Sequence, residues 1–266
     1  MLVWPTKKAL ILKSKSPEKI LNVVPSAKSF SVKGQPLVAV PHRTEETTLL
    51  RNMGYDAPAP IRSYYQWPGR FKPFFAQKEA AAFLSMNKRA FNLSELGTGK
   101  SLASLWAYDY LRSIGQMNKA LVISPLSTLE RTWADEIFQH FPHLTYTVLH
   151  GAKDKRIKLL KEDFDVYIIN HDGVGIIEPH LKDRTDIDLV IVDEIAQCAR
   201  NASTTRWRKI NTVVNKHKAP RACWGMSGTP TPNAPTDAWA QCRLVVPDAV
   251  PPYFNRFKGQ VMKQLS

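Results

Sequence analysis

A chain of 266 residues, 44% of them hydrophobic, can bury the core of one large domain or of one domain and a small module. Its formal net charge of +14 and its pI of about 9.7 favour a polyanionic partner, most of all a nucleic acid. The three cysteines are widely spaced and form no Cys-x-x-Cys pair, which argues against a disulfide framework and indicates reduced thiols in a cytoplasmic or nucleoid-associated setting.

The first 65 residues predict a small basic accessory module. Residues 1–35 contain seven lysines against one acidic residue, and their start is too rich in lysine for a secretory signal. The short apolar runs ALIL and PLVAV predict strands, and TEETTLLRNMGY predicts a short capped helix that ends at Gly54. The lysines fit a nucleic-acid contact and an ordinary solvated surface equally well. The proline-rich segment DAPAPIRSYYQWPGRFKP predicts an extended connection to the next domain.

Residues 66–248 predict an α/β domain with a mostly parallel sheet flanked by helices. Strand-like and helical segments alternate here, as in right-handed strand–helix–strand units. The predicted strands are KALVISP, TYTVLH, DVYIIN, DLVIVDE and RACWGMSG, and the predicted helices are AQKEAAAFLSMN, LSTLERTWADEIFQHF, TTRWRKINTVVNK and PTDAWAQCRLVV. Ligands of such sheets bind at the carboxyl ends of the strands. No apolar run approaches the roughly 18 residues of a membrane-spanning helix, so we expect no membrane partner.

The stretch SELGTGKS, residues 94–101, predicts a phosphate-binding loop. It follows a short apolar run and precedes a helix, whose free N–H groups and dipole favour an anion. Gly97 and Gly99 let the backbone close around phosphates. Lys100 would reach the β- and γ-phosphates, and Ser101 would bind Mg²⁺. A serine stands where the full Gly-x-x-x-x-Gly-Lys-Ser/Thr pattern has its first glycine, so the loop is a variant of that pattern.

The stretch LVIVDE places Asp193 and Glu194 at the end of a buried strand. Downstream of a phosphate loop, such a pair is the second half of an ATPase site. Asp193 would hold Mg²⁺ through water, and Glu194 would orient and activate the attacking water. The catalytic candidates are therefore Lys100, Asp193 and Glu194, and the predicted cofactors are ATP and Mg²⁺.

Residues 71–246 resemble the first RecA-like lobe of superfamily 2 helicases and, among these, the SNF2-like DNA translocases. SELGTGKS resembles the helicase loop in which a small or acidic residue replaces the first glycine. FKPFFAQKEAAAFL resembles the adenine-recognition segment, VISPLSTLERTWADEI the segment after the second strand, and CWGMSGTPTPN the motif that couples ATP state to DNA contacts. VLHG, IINHDGV and RNASTTRWRKI resemble three further landmarks of the family, in the family's order.

The resemblance implies a RecA-like phosphate-loop fold and the activity of an ATP-dependent DNA helicase or translocase. It assigns adenine recognition to Gln77, with Phe71 or Phe74 able to stack on the base, and it places Trp133 and Glu136 at familiar positions. The implied nucleotide-binding residues are Gln77, Gly97, Thr98, Gly99, Lys100 and Ser101, and the implied coupling or nucleic-acid residues are Ser227, Thr229, Pro230, Ser124 and Arg206. The implied partners are double-stranded or branched DNA and a second RecA-like lobe.

Two features depart from the family pattern. This chain has Ala196 where the family's Asp-Glu-x-His box has its histidine, so coupling to DNA would differ in detail. Residues 249–266 predict a tail or linker that is too short for the second lobe, which supplies arginines to the γ-phosphate. Such an arginine raises the rate by roughly three to five powers of ten. We therefore expect the chain to be nearly inactive in ATP hydrolysis without a second lobe in cis or in trans.

Three other functions stay open at this point, and so does the oligomeric state. A lone lobe would serve as a non-enzymatic interaction module that binds nucleotide or DNA. An RNA helicase shares the loop and the acidic box, although RTWADEI and SGTPTPN favour DNA. A small-molecule kinase would use the GTGKS loop, but this interpretation does not explain the motifs downstream of the loop.

Overall fold

The computed structural model describes residues 1–262 and divides the chain into two compact units, Met1–Gln66 and Trp67–Ser266. The first unit has a four-stranded antiparallel sheet, and the second has a six-stranded parallel sheet. Within residues 1–262, no helix combines the length and the apolar character that crossing a bilayer requires.

The first unit packs helices on one side of its sheet. Its strands are β1 (Leu2–Trp4), β2 (Ala9–Lys13), β3 (Lys28–Val32) and β4 (Gln35–Pro41), and its helices are α1 (Pro17–Val23), α2 (Thr44–Asn52) and α3 (Ile61–Tyr64). The strands lie in the order β1-β2-β4-β3, and each pair of neighbours is antiparallel. The apolar runs ALIL and PLVAV therefore form β2 and β4, as predicted.

Alternation along these strands separates a buried face from a partly exposed one, because successive side chains of a strand point in opposite directions. Leu10 and Leu12 of β2 share the inner face with Val38 and Val40 of β4. The core of the unit consists of Leu10, Leu12, Ile20, Val24, Ala27, Val38, Val40, Leu50 and Ala57. This core includes one residue of α1 and one of α2, so the two helices cover the same face of the sheet.

The second unit surrounds its parallel sheet with helices. Its strands are β5 (Arg89–Asn92), β6 (Lys119–Ser124), β7 (Tyr146–Val148), β8 (Val166–Asn170), β9 (Ile187–Val192) and β10 (Ala222–Met226). Its helices are α4 (Phe75–Met86), α5 (Lys100–Ser113), α6 (Asp135–His140), α7 (Lys153–Lys161), α8 (Val174–Ile177), α9 (Ile195–Cys198), α10 (Thr205–Asn215), α11 (Ala238–Val245) and α12 (Phe254–Val261).

The strand order in this sheet is β5-β10-β9-β6-β8-β7. Since all the pairings are parallel, the carboxyl ends of the strands lie at one edge of the sheet. The residues that follow β5, β9 and β10 become neighbours there, although they are far apart in the sequence. The nearly continuous apolar runs of β6, β8 and β9 match a sheet that is covered on both faces.

Two segments differ from their predicted conformation. LSTLERTWADEIFQHF, predicted as one helix, consists of a 3₁₀ turn (Leu126–Thr128), a π-helical stretch (Leu129–Ala134) and α6. The π-helical stretch and α6 run on without a break and are called helix 129–140 below. The connection predicted as extended contains the short helix α3.

Helix α7 was not predicted. Leu160 is the residue of α7 that is buried, so the helix has no apolar stripe by which the spacing of its residues could indicate a helix.

Candidate nucleotide-binding site

The predicted phosphate-binding loop, residues 94–101, is called the phosphate loop below. It lies between β5 and α5 and includes the first two residues of α5. Gly97 and Gly99 have φ values of 76° and 73°, in the left-handed region that residues with a Cβ rarely adopt. A Cβ built on Gly99 would lie 2.3 Å from Nε2 of Gln77. A larger residue at position 99 would therefore have a strained backbone and would displace the end of the Gln77 side chain.

Lys100 is the first residue of α5, and only 9% of it is exposed. Its Nζ donates hydrogen bonds to the main-chain oxygens of Ser94 and Glu95, each at 3.0 Å. Because these two partners are neutral, the hydrogen bonds of Lys100 do not neutralise its ammonium charge. The 14-residue helix α5 adds the partial positive charge of its N-terminus at the same place. The loop, the lysine and the helix N-terminus together make this place a candidate anion site.

Gln77, the predicted adenine contact, lies on α4 against the phosphate loop. Its Nε2 donates a hydrogen bond to the main-chain oxygen of Thr98 at 3.2 Å. Its Oε1 accepts one from the main-chain nitrogen of Phe74 at 2.9 Å. The predicted stacking residues Phe71 and Phe74 are 60% and 77% exposed, so both retain ring surface for a ligand. Gln77 thus borders the loop that would hold the phosphates.

Asp193 follows β9 directly and extends its pairing, because its main-chain nitrogen donates to the oxygen of Ile123 at 2.8 Å. The carboxylate is buried and accepts two hydrogen bonds. Oδ1 accepts from the main-chain nitrogen of Glu194 at 2.9 Å, and Oδ2 accepts from Nε1 of Trp133 at 3.0 Å. Burial raises the pKa of Asp193, whereas these hydrogen bonds and the charge of Lys100 oppose the rise. The carboxylate is thus held from both sides.

Glu194 occupies a left-handed turn with a φ of 46°. Burial and the neighbouring Asp193 raise the pKa of its carboxyl, and the charge of Lys100 lowers it. The same lysine acts on both acidic residues, so the phosphate loop and the acidic box share one electrostatic environment. A carboxylate with a raised pKa suits a general base that must accept a proton from water.

Two side chains outside the predicted set complete the surroundings of the acidic box. The Oγ of Ser101 donates a hydrogen bond to Oε1 of Glu136 at 3.0 Å, and burial raises the pKa of Glu136 to about 7. The main-chain oxygen of Asp193 accepts a hydrogen bond from Nε2 of His171 at 2.8 Å. A carbonyl oxygen can only accept, so Nε2 carries the proton, and burial lowers the pKa of this ring.

The roles of Trp133, Glu136 and His171 were not assigned from the sequence. Trp133 and Glu136 were noted as familiar positions, and their spacing of three residues places both on one face of a helix. That spacing predicts a shared face, but it does not reveal which residues the two side chains contact. Their partners, Asp193 and Ser101, lie on other elements, so only the packing of helix 129–140 identifies the contacts.

The coupling loop, residues 227–230, follows β10. Ser227 is fully buried, and its main-chain nitrogen donates to the oxygen of Asn92 at 3.3 Å. The main-chain nitrogen of Thr229 donates to Oγ of Ser227 at 3.2 Å. The main-chain oxygen of Pro230 accepts a hydrogen bond from Gln241 of α11. The predicted coupling residues therefore begin beside the end of β5, where the phosphate loop starts.

Gly228 brings the coupling loop into contact with the phosphate loop. A Cβ built on Gly228 would lie 2.9 Å from Cγ of Leu96 and 3.2 Å from its main-chain nitrogen. A side chain at this position would therefore push the two loops apart. The predicted phosphate-binding loop and the predicted coupling loop are therefore close neighbours at Leu96 and Gly228.

The other two predicted nucleic-acid residues lie in different surroundings. Ser124 ends β6, pairs with Asn170 of β8 and is fully buried, so its hydroxyl does not reach the surface. Arg206 lies on α10 and is partly exposed. Its Nε donates to Asp172 at 2.8 Å, and its Nη1 donates to the main-chain oxygen of Gln197 at 3.3 Å. Arg206 thus links the segments that follow β8 and the acidic box.

The side chains at this edge of the sheet fit a magnesium nucleotide. Within residues 1–262, no group of three or more His, Cys, Asp or Glu side chains is placed to hold a metal ion by itself. Magnesium in nucleotide sites needs only one or two protein ligands, because phosphates and waters supply the rest. The hydroxyl of Ser101 would supply one such ligand, the carboxylate of Asp193 would hold a water of the metal ion, and Lys100 would supply positive charge for the phosphates.

The family model described as the SNF2-related domain matches residues 77–263, which is more than half of the chain. The chain is 30% identical over 160 residues to the ISWI chromatin-remodeling complex ATPase ISW2 of Saccharomyces cerevisiae, covering 58% of this chain and 14% of ISW2. It is 28% identical over 164 residues to protein p41 of Acyrthosiphon pisum secondary endosymbiont phage 1, covering 59% of this chain and 35% of p41.

A solved structure, the Sulfolobus solfataricus SWI2/SNF2 ATPase core in complex with dsDNA, has a similar fold. The TM-score is 0.58 at 21% sequence identity, and the match covers 73% of this chain and 39% of that chain. The predicted RecA-like α/β fold with a parallel sheet flanked by helices is thereby confirmed. The predicted SNF2-like resemblance is confirmed as well, since the chain belongs to the SNF2-related domain family.

Proposed function

We propose that this chain is the ATP-binding lobe of an ATP-dependent DNA translocase or helicase. The observation that carries this proposal is the meeting of three segments at one edge of the sheet. The phosphate loop with Lys100 and Ser101, the acidic box with Asp193 and Glu194, and the coupling loop all lie there. Membership of the SNF2-related domain family supports the same function.

Each residue of the site has a distinct role in this proposal. Lys100 and the N-terminus of α5 bind the phosphates, and Gln77 contacts the adenine base. Ser101 and Asp193 would hold Mg²⁺, the latter through water. When bound, the metal ion neutralises charge on the phosphates. Glu194 orients the attacking water and accepts its proton, a role that suits the raised pKa of its carboxyl.

The proposed nucleic-acid partner is DNA, double-stranded or branched. The net charge of +14 favours binding to a phosphate backbone, which makes the affinity salt-dependent and largely independent of base sequence. The similar Sulfolobus solfataricus structure is a complex with dsDNA. The direct contact of Gly228 with Leu96 offers a route by which nucleotide state reaches the coupling loop.

A second RecA-like lobe, in cis or in trans, is part of the proposed enzyme. The chain spans 14% of the length of ISW2, 35% of p41 and 39% of the solved ATPase core. Arginines from the second lobe would stabilise the charge that develops on the transferring phosphoryl group, an effect of roughly three to five powers of ten. Residues 1–266 alone should therefore bind Mg²⁺–ATP but hydrolyse it very slowly.

Calorimetry with Mg²⁺–ATP and steady-state ATPase assays test the proposal. The chain is assayed alone and with a purified second lobe of the family, in the presence of duplex DNA, RNA or no nucleic acid. Glu194→Gln should retain nucleotide binding and lose DNA-stimulated hydrolysis, because the general base is gone. Glu162→Gln, an exposed acid at the end of α7, is the matched control and should behave as wild type.

The outcomes separate the alternatives. Absence of Mg²⁺–ATP binding would overturn the proposed site. Binding without hydrolysis, even with the second lobe and DNA, would favour a non-enzymatic module. Stimulation by RNA but not by DNA would favour an RNA helicase. Fast, DNA-stimulated and Glu194-dependent turnover by residues 1–266 alone would refute the need for a second lobe.

A further inference from the structure

We propose that helix 129–140 sets the geometry of the nucleotide site through two positioning residues. Glu136 fixes the orientation of the Ser101 hydroxyl, and Trp133 fixes the carboxylate of Asp193. The inference rests on the proposed ATP-binding function, and it adds residues that contact neither nucleotide nor DNA in that proposal. A single helix would thereby align the two groups that are expected to face the metal ion.

The hydroxyl of Ser101 has a defined acceptor for its proton. A serine hydroxyl has one proton to donate and two lone pairs that can accept or bind a metal ion. The proton is donated to Oε1 of Glu136 at 3.0 Å. The lone pairs therefore remain for a metal ion. Without this acceptor, a serine in the first turn of a helix can turn its proton to a nearby backbone carbonyl.

Both oxygens of the Asp193 carboxylate accept hydrogen bonds. Nε1 of Trp133 donates to Oδ2 at 3.0 Å, while the main-chain nitrogen of Glu194 donates to Oδ1 at 2.9 Å. The indole N–H can only donate, so the bond is well matched to an ionised acceptor. Trp133 is fully buried, which restricts its ring to this orientation.

Burying the carboxyl group of Glu136 costs free energy of folding. Its Oε2 is enclosed and has no hydrogen-bond partner among the residues that the structure describes. A buried oxygen without a partner destabilises a fold, so an apolar residue would be preferred here if packing were the only role. A carboxyl group beside Ser101 is better explained by a requirement for an acceptor at that place.

The test uses the full chain, ADP as the probe and two metal conditions. ADP affinity is measured with Mg²⁺ and with EDTA, and the melting temperature is measured without ligand. Outer-shell partners of metal ligands typically contribute roughly 10–100-fold to metal affinity. Glu136→Met and Trp133→Phe should each reduce the Mg²⁺-dependent gain in ADP affinity by about 10-fold or more. ADP affinity in EDTA should remain within about twofold, because the phosphate loop is untouched.

Matched variants separate positioning from simple packing. Trp224→Phe also removes an indole N–H, which donates to the main-chain oxygen of Asn87 at 2.9 Å, and it should leave the Mg²⁺-dependent gain unchanged. Glu136→Gln keeps an oxygen that accepts from Ser101, so it should restore most of the gain lost in Glu136→Met. If Glu136→Met is poorly folded, Trp133→Phe beside its control Trp224→Phe still tests whether helix 129–140 positions the site.

A double-mutant cycle gives the sharpest outcome. In a Ser101→Ala background, Glu136→Met should change the Mg²⁺-dependent gain little further, because the hydroxyl it orients is already absent. Equal effects of Glu136→Met with and without Ser101 would overturn the inference. A Mg²⁺-dependent gain that stays at the wild-type value in both helix variants would also overturn it, while leaving the proposed function standing. Failure of the wild-type chain to bind ADP would overturn the proposed function and this inference together.

Discussion

The side-chain amide of Gln77 donates a hydrogen bond to the main-chain oxygen of Thr98, across 3.2 Å and 21 residues of sequence. The same side chain accepts from the main-chain nitrogen of Phe74 at the start of α4. The predicted adenine contact is thus anchored to the loop that would bind the phosphates. The proposed adenine contact and the proposed phosphate-binding loop therefore belong to one local structure.

Gln77→Ala should reduce the preference of the chain for ATP over GTP. The amide keeps its second N–H and the second lone pair of Oε1, a donor and an acceptor that can match the edge of adenine but not the reversed pattern of guanine. The expected loss is about 10-fold in the ATP/GTP affinity ratio, as for one or two hydrogen bonds. Competition binding of both nucleotides measures it. Equal binding of ATP and GTP by the wild-type chain would show that Gln77 has no such role.

Lys100→Ala should abolish most nucleotide binding while the fold remains. The change removes a buried positive charge whose contacts are the neutral oxygens of Ser94 and Glu95. Hydrogen bonds to charged groups contribute about 1.5–3 kcal/mol each, so the affinity should fall by at least 10-fold. Lys158→Ala, an exposed lysine on α7, is the control. Calorimetric affinity equal to wild type, with an equal melting temperature, would rule out the assignment.

The lysines of the first unit are expected to contribute to DNA binding. Lys13, Lys28 and Lys33 are exposed, and replacing all three with glutamine should weaken binding and flatten its salt dependence. Each lost phosphate contact should lower the slope of log affinity against log salt by about 0.9. The same three positions changed to arginine keep the charge and serve as the control. An unchanged slope in the glutamine variant would assign these lysines to a solvated surface.

The stability of the first unit should depend on the protonation of His42. Its Nε2 lies 2.8 Å from the main-chain oxygen of Pro58, so it donates there, and its Nδ1 accepts from the hydroxyl of Tyr64 at 2.8 Å. The ring is buried, and burial lowers its pKa from the ordinary value of 6.5, with a smaller lowering by the charge of Arg51. The neutral form therefore belongs to the folded state.

Because the pKa of His42 is lower in the folded state than in the unfolded state, the stability should fall at acidic pH. As the pH falls, His42 of the unfolded state takes up a proton near pH 6.5, whereas His42 of the folded state takes it up at a lower pH. The contribution of His42 to the free energy of unfolding is thus complete above that pH and is lost as the pH falls through it. The full chain is equilibrated in urea at about pH 7.5 and at about pH 5.5, and pulse proteolysis then measures cleavage within residues 1–66. The difference between the two conditions gives the loss of stability of the first unit. His42→Gln should show a smaller difference between the two conditions, and an equal difference would contradict the prediction.

The sequence by itself determined the local features of this protein. Alternating apolar runs and helical segments predicted the α/β fold, because burial on both faces requires nearly continuous apolar strands. The candidate phosphate-binding residues from Gly97 to Ser101 are contiguous, so their conformation depends on glycines and a helix start within a few residues. Asp193 and Glu194 were recognised because they follow such a strand directly. Resemblance to a known family then added Gln77 and the coupling loop.

Only the tertiary structure decided which distant residues meet. The order β5-β10-β9-β6 places the ends of β5, β9 and β10 side by side, and neither apolar spacing nor turn residues specify that order. The contact of Gly228 with Leu96 and the hydrogen bond from Ser101 to Glu136 depend on it. Such contacts arise from the packing of separate elements around one core, whereas a sequence pattern reports the environment of a residue without identifying its partner.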